Sequence, residues 1–258
     1  MTTQQNITLS IIIPAYQEES TIGGTLEKLA AYIQKMDIIS IEVIVAIGQG
    51  TDRTYEVAVS KSGLFGNLVV INDIVPHTKG NNVQTAILAA RGKYCLYMDA
   101  DLATPLHHID EALQLLKTYD IVNGQRGVGK IHRGHRKFIS TFGNLLVRLI
   151  LLPGFKDTQC GFKAFRTAAA KQLFAKQKIE SWGFDIEILA LAKQMRYSIA
   201  HLPIPDWQDK EGGSLNAGPQ KAFGAAFNTF LDLLRIRLNL MKGGYNLRSL
   251  PKARAAQG

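Results

Sequence analysis

Short apolar runs alternate along this chain with segments whose apolar residues recur at helical spacing. Residues 7–13 form one such run, stopped by Pro14, and read as a buried strand. Ser20 then reads as the N-cap of a helix reaching Met36. Residues 41–47 predict a second buried strand, followed by the loop Gly48-Gln49-Gly50 and a helix from about Asp52. Residues 68–72 predict a third strand, 82–91 a helix, and 94–98 a fourth strand ending at Asp99-Ala100-Asp101. Downstream, 105–117 reads as helix, 120–123 as a short strand, 124–134 as a glycine-rich basic loop, and about 135–152 as helix. Residues 161–165 predict a strand, 184–195 a helix, 198–202 the last strand, and 206–220 a loop. A long amphipathic helix is expected from Lys221 to about Lys242, with Phe223, Phe227, Phe230, Leu234, Leu238 and Met241 on one stripe. Alternation of this kind predicts an α/β fold, a mostly parallel central sheet flanked by helices.

The 258 residues carry 46% hydrophobic content, enough for one sizeable core, and no linker divides them. A single domain is expected over 1–245, with a basic flexible tail at 246–258. The net charge of +9 points to an anionic partner: nucleic acid, anionic lipid or a phosphorylated substrate. The absence of zinc-finger spacing or an RRM-like signature argues against nucleic acid. Cys95 and Cys160 read as reduced thiols of a cytoplasmic protein, and the polar N-terminus lacks signal-peptide order. The longest apolar stretch, 138–155, is interrupted by Asn144, Arg148 and Pro153, so the chain is expected to lie on a membrane rather than span it.

Candidate chemistry centres on Asp99 and Asp101. Ligands of open α/β sheets bind beyond the carboxyl ends of the strands, where this pair falls. Two carboxylates so close can converge on Mg²⁺ or Mn²⁺, which also accepts substrate phosphate oxygens. A solvated turn or a helix cap is the plainer account. The basic segment 126–137 supplies guanidinium groups suited to phosphate, or merely a solvated loop.

Several motifs occur in register. Residues 11–19 (IIIPAYQEE) resemble the opening of family 2 glycosyltransferases, and residues 91–101 (RGKYCLYMDAD) resemble their metal-binding strand. Residues 157–163 (DTQCGFK), 182–187 (WGFDIE) and 232–237 (DLLRIR) resemble later parts of dolichyl-phosphate glucosyltransferases. Together they cover about 7–245.

The resemblance implies a GT-A (nucleotide-diphospho-sugar transferase) fold. It also implies a metal-dependent, inverting hexosyl transfer, glucose favoured, from a nucleotide sugar to a polyprenyl or dolichyl phosphate at the cytoplasmic membrane face. Pro14, Tyr16, Glu18, Lys79 and Gly80 would then line the donor site, and Asp99 and Asp101 would hold Mg²⁺ or Mn²⁺ and the diphosphate. Arg126, Arg136 and Ser140 match acceptor-phosphate positions of dolichyl-phosphate mannose synthases. Asp185 is either a general base, needed only by a hydroxyl acceptor, or, like Glu187, a helix-dipole acid. The rivals are transfer to a sugar hydroxyl and non-catalytic sugar-nucleotide binding.

The chain also departs from the pattern of the family it resembles. Ile47 and Gly48 replace acidic residues that usually meet the nucleotide base, and Ala103 replaces a polar residue that often assists the metal. Gly48–Arg53 lacks the third glycine of a dinucleotide fingerprint, and Gly124–Lys130 lacks the hydroxyl that completes a P-loop. The histidines show no metal-ligand spacing, and adjacent His107 and His108 suggest a surface or capping role.

Overall fold

The computed structural model describes residues 7–38, 40–127, 151–208 and 219–246, with side chains from 228 onward in the last segment. Strand β1 (Leu9–Ala15) leads to α1 (Ile22–Ile33), β2 (Ile41–Gly48), α2 (Thr54–Ser60), β3 (Leu68–Ile74), α3 (Lys79–Ala89) and β4 (Tyr94–Met98). Then come α4 (His108–Leu116), β5 (Ile121–Arg126), β6 (Phe162–Arg166), α5 (Thr167–Phe174), α6 (Phe184–Gln194), β7 (Ile199–Ile204) and α7 (Pro219–Met241). One seven-stranded sheet has the order β3-β2-β1-β4-β6-β5-β7. Strand β6 runs antiparallel to β4 and β5, and the other pairs are parallel.

The apolar runs of β1 and β2 are buried on both faces, as central parallel strands require. Side chains of alternating parity separate into two layers. Ile11, Ile13, Val43 and Val45 pack with Leu26, Leu29 and Ile109 on one face, and Ile12, Ile44 and Tyr97 pack with Val83, Ile87 and Phe184 on the other. At the amino ends of the strands, buried Glu42 accepts hydrogen bonds from Ser10 Oγ (2.5 Å), Arg91 N (2.6 Å) and Arg91 Nε (2.9 Å), tying three elements together.

Several sequence expectations are corrected. Thr21, not Ser20, precedes α1, because the Thr21 and Ile22 amides donate to the Glu18 carbonyl in a turn entering the helix. Residues 124–126 belong to β5, because a parallel partner, β7, pairs them with Leu202–Ile204. Helix α3 begins at Lys79, where Thr78 accepts from the Asn81 amide. Helix α5 escapes the periodicity reading, because three consecutive alanines blur its apolar face. In α7 the buried face is Leu233, Ile236 and half-buried Leu240, whereas Leu234, Leu238 and Met241 stand 39, 49 and 70% exposed. Of the expected stripe, these three residues therefore point outward, Phe230 is half-buried, and the side chains of Phe223 and Phe227 lie outside the described residues. The helix expected over 135–152 lies outside the described residues except at Leu151 and Leu152, and so do Arg136 and Ser140.

Candidate active site

The carboxyl ends of β1, β2 and β4 face the same side, because the three strands run parallel. Past β4 the chain turns tightly. The Leu102 amide donates to the Asp99 carbonyl (3.2 Å), and Leu102 adopts a positive φ of 54°. Asp101 Oδ1 accepts from the Ala103 amide at 2.9 Å, and the Thr25 hydroxyl of α1 donates to the Ala100 carbonyl. The acidic loop is thus shaped from inside and from a neighbouring helix.

Asp99 lies flat against Gly161. A Cβ at that glycine would fall 1.7 Å from Asp99 Oδ2, so only glycine permits the carboxylate its position. The ammonium of Lys79 sits 2.5 Å from Asp99 Oδ1 and 5.1 Å from the exposed Trp182 ring. Asp99 holds the Lys79 ammonium in its charged form, against the opposing cost of burial. Gly80 packs against the chain at Glu180, where an added Cβ would meet the Glu180 carbonyl oxygen at 2.4 Å, and its amide already donates to that oxygen. Its place is therefore a close-packing one, and it seats Lys79.

Half-buried Glu18 has its carboxyl pushed up, by burial first and then by the charges of Asp101, Asp99 and Asp52. The same field of oxygen donors suits a hard divalent cation, and an ammonium already occupies part of it. The residues present therefore fit Mg²⁺ or Mn²⁺. Pro14 is buried in β1. Tyr16, just beyond β1, is 39% exposed and stacks on His77 at 4.7 Å, with ring planes 10° apart. A Cβ at Gly48 would come within 2.8 Å of the His77 Cβ. The loss of an acidic side chain at that position thus makes room for His77, which sequence reading missed for want of any motif.

Arg126, at the end of β5, is committed to Asp157 through Nε (2.6 Å to Oδ2) and Nη2 (2.9 Å to Oδ1). Each charge favours the other: Asp157 is held below the usual carboxylate range despite its burial, and the guanidinium is stabilised as a cation. A guanidinium has five N–H donors, and this fork uses two. The Arg126 Cζ also lies 5.4 Å from the Trp207 ring.

Asp185 is buried in the first turn of α6. Lys163 Nζ lies 2.7 Å from its Oδ1, and the Tyr97 hydroxyl donates to the same oxygen. Lys163 is fully buried and also donates to the Cys160 carbonyl at 2.8 Å. The β4–β6 register sets Lys163 opposite Tyr97, a neighbour relation invisible in the sequence. Glu187 accepts from the Lys178 and Ile179 amides and from the Tyr245 hydroxyl (2.6 Å), which pins the chain beyond α7. The surface role read for the histidine pair holds for exposed His107 and is corrected for His108, which is buried; neither caps α4, since His107 precedes it without a side-chain capping bond.

Comparison with known proteins agrees with this architecture. The family model described as "Glycosyl transferase family 2" matches residues 10–174. A dolichyl-phosphate beta-glucosyltransferase of Dictyostelium discoideum is 30% identical over 263 aligned positions, covering 95% of this chain and 78% of that protein. Mannosyl-3-phosphoglycerate synthase from Rubrobacter xylanophilus superposes with a TM-score of 0.69 at 16% identity, covering 95% of this chain and 77% of that one. Glucosyl-3-phosphoglycerate synthase from Mycobacterium tuberculosis, crystallised with Mn²⁺, uridine diphosphate and glucosyl-3-phosphoglycerate, superposes at 0.62 with 16% identity, covering 89% and 80%.

Proposed function

The chain belongs to glycosyl transferase family 2, and from that premise we propose that it transfers a glucosyl group from a nucleotide sugar to a polyprenyl phosphate of the dolichyl type. The family inverts configuration, so the acceptor attacks the anomeric carbon from the face opposite the nucleotide. One bond forms from the acceptor phosphate oxygen to that carbon, and the bond to the β-phosphate oxygen breaks. Asp99 and Asp101 would hold Mg²⁺ or Mn²⁺, which when bound neutralises the departing diphosphate. Lys79 pairs with Asp99 in the resting site and would turn to donor phosphate oxygens when the donor binds. Tyr16 offers a ring face to the base, with His77 beside it. Arg126 keeps N–H donors beyond its fork with Asp157, and with Arg136 and Ser140 it is assigned to the acceptor phosphate. The protein contributes orientation and fixed charge rather than a proton acceptor.

The state of Asp185 carries the choice of acceptor. The Asp185 carboxylate is buried and already engaged by the Lys163 ammonium and the Tyr97 hydroxyl, which supports a structural rather than a proton-accepting role. An acceptor phosphate is already anionic near neutral pH and needs none. The outward stripe of α7 supports action at a membrane surface. Among the described residues no helix is long and apolar enough to cross a membrane.

The test is a donor and acceptor screen. Purified protein receives UDP- or GDP-linked hexoses, Mg²⁺ or Mn²⁺, and either a short polyprenyl phosphate or the matching polyprenol. The expected result is nucleoside diphosphate and glycolipid with the phosphate alone, and only when the metal is supplied. Turnover with hydroxyl acceptors would move the assignment to glycan extension. No turnover with any donor would make the chain a sugar-nucleotide-binding protein.

A further inference from the structure

A second side-chain cluster, chemically unlike the acidic loop, lies where α4 begins. His107 and His108 stand at the amino end of that helix, and Asp206 follows β7. His108 Nε2 is 2.7 Å from Asp206 Oδ1, and His107 Nε2 is 3.4 Å from Asp206 Oδ2. One ligand atom from each residue lies within 4.8 Å of the others. The two rings are 4.1 Å apart between centroids. The His108 side chain is 4% exposed, whereas His107 and Asp206 keep 55% and 42%, so the cluster has one buried member and two that reach solvent.

A separate contact orients the buried ring. His108 Nδ1 lies 2.8 Å from Glu111 Oε2. A carboxylate on one imidazole nitrogen takes its N–H and directs the other nitrogen's lone pair outward, the arrangement typical of metal-ligating histidines. The other ring nitrogen lies 2.7 Å from the Asp206 carboxylate oxygen. A metal ion would satisfy both neutral imidazoles and Asp206 together.

We propose that His107, His108 and Asp206 bind a borderline divalent transition ion of the Zn²⁺ class, with Glu111 orienting His108. Two imidazoles and one carboxylate suit Zn²⁺ and leave a fourth position open to solvent. Mg²⁺ prefers oxygen ligands, which separates this site from the acidic loop by chemistry. The ion would fasten the chain after β7 to α4. The Gln208 amide of that segment donates to the Ala103 carbonyl (3.0 Å), and the Ala103 amide donates to Asp101. Its role is therefore to position the acidic loop from behind.

The experiment reads binding, so it is independent of whether the donor screen succeeds. Untagged full-length protein is stripped with chelator and titrated with Co²⁺, followed by its visible absorption bands, and the Co²⁺ is then displaced with Zn²⁺. One equivalent of Co²⁺, displaced by Zn²⁺ and untouched by excess Mg²⁺, is expected. His107→Ala and Asp206→Asn, both on exposed side chains, should each abolish the bands. Glu111→Gln should weaken binding about 10- to 100-fold, and Asp101→Asn should leave it unchanged. Absence of any Co²⁺ or Zn²⁺ binding would overturn the proposal and leave a proton bridging the cluster. Binding that survives His107→Ala and Asp206→Asn but disappears in Asp101→Asn would overturn it too, by moving the ion to the acidic loop.

Discussion

Single atoms decide what the acidic loop can do. Because the Asp99 carboxylate rests on the bare Cα of Gly161, Gly161→Ala must displace it. Misplacement of about 1 Å costs on the order of 10²-fold in rate, so kcat/KM should fall at least that far while circular dichroism stays unchanged. Asp185 makes the opposite case under the proposed reading, a charge held for structure. Asp185→Asn strands the fully buried Lys163 ammonium, at a cost of about 3–5 kcal/mol measurable by urea unfolding. The double variant Asp185→Asn/Lys163→Met should recover most of that loss. Recovery of stability with no recovery of catalysis, together with loss of the parent's acid limb in the pH–rate profile, would instead make Asp185 a catalytic base. Glu18 carries a pH signature. Its folded carboxyl is raised, so the folded state favours the protonated form, and the advantage present at acid pH is lost as pH rises through the raised value. In metal-free buffer, Glu18→Gln should be more stable than the parent at about pH 7, and the difference should vanish below about pH 4. Thermal melts at the two pH values test it.

Among the elements, β6 and α7 differ most from what periodicity implied. Strand β6 enters the sheet antiparallel between β4 and β5, which brings Lys163 beside Tyr97 and Gly161 beneath Asp99. The motif containing these residues was recognisable, but its pairing partner was not. In α7 the helical period was legible and its inward face was not. Leu233 and Ile236 are packed, and Asp232 accepts from the Ser181 hydroxyl (2.6 Å), holding the turn before α6. Leu234, Leu238 and Met241 are left outward, beside the exposed Arg235. Leu234→Glu/Leu238→Glu should leave the melting temperature nearly unchanged, because both side chains are already solvated. Co-sedimentation with phospholipid vesicles should drop several-fold, since each buried apolar side chain contributes roughly 1.5–3 kcal/mol. Unchanged sedimentation would mean that the helix is no membrane surface.

At the scale of the whole molecule, the proposed attachment to a membrane would draw on both the net charge of +9 and the outward residues of α7. Binding to anionic vesicles should exceed binding to neutral ones at about 0.1 M salt, where the screening length is about 10 Å, and fall toward the neutral value at about 1 M, where it is about 3 Å. Equal binding at both salts would assign attachment to the apolar stripe alone. The sequence by itself determined the alternation of buried strands and covering helices and the acidic loop at a strand's carboxyl end. These follow from period, run length and chain order, all local properties. Only the tertiary structure decided that Arg126 is forked on Asp157, that Lys163 closes on Asp185, that His77 fills the room left by Gly48, and that two histidines meet Asp206. Those contacts join residues far apart in the chain, and whether a charge stays available for substrate depends on which distant partner the packed sheet brings within about 3 Å of it.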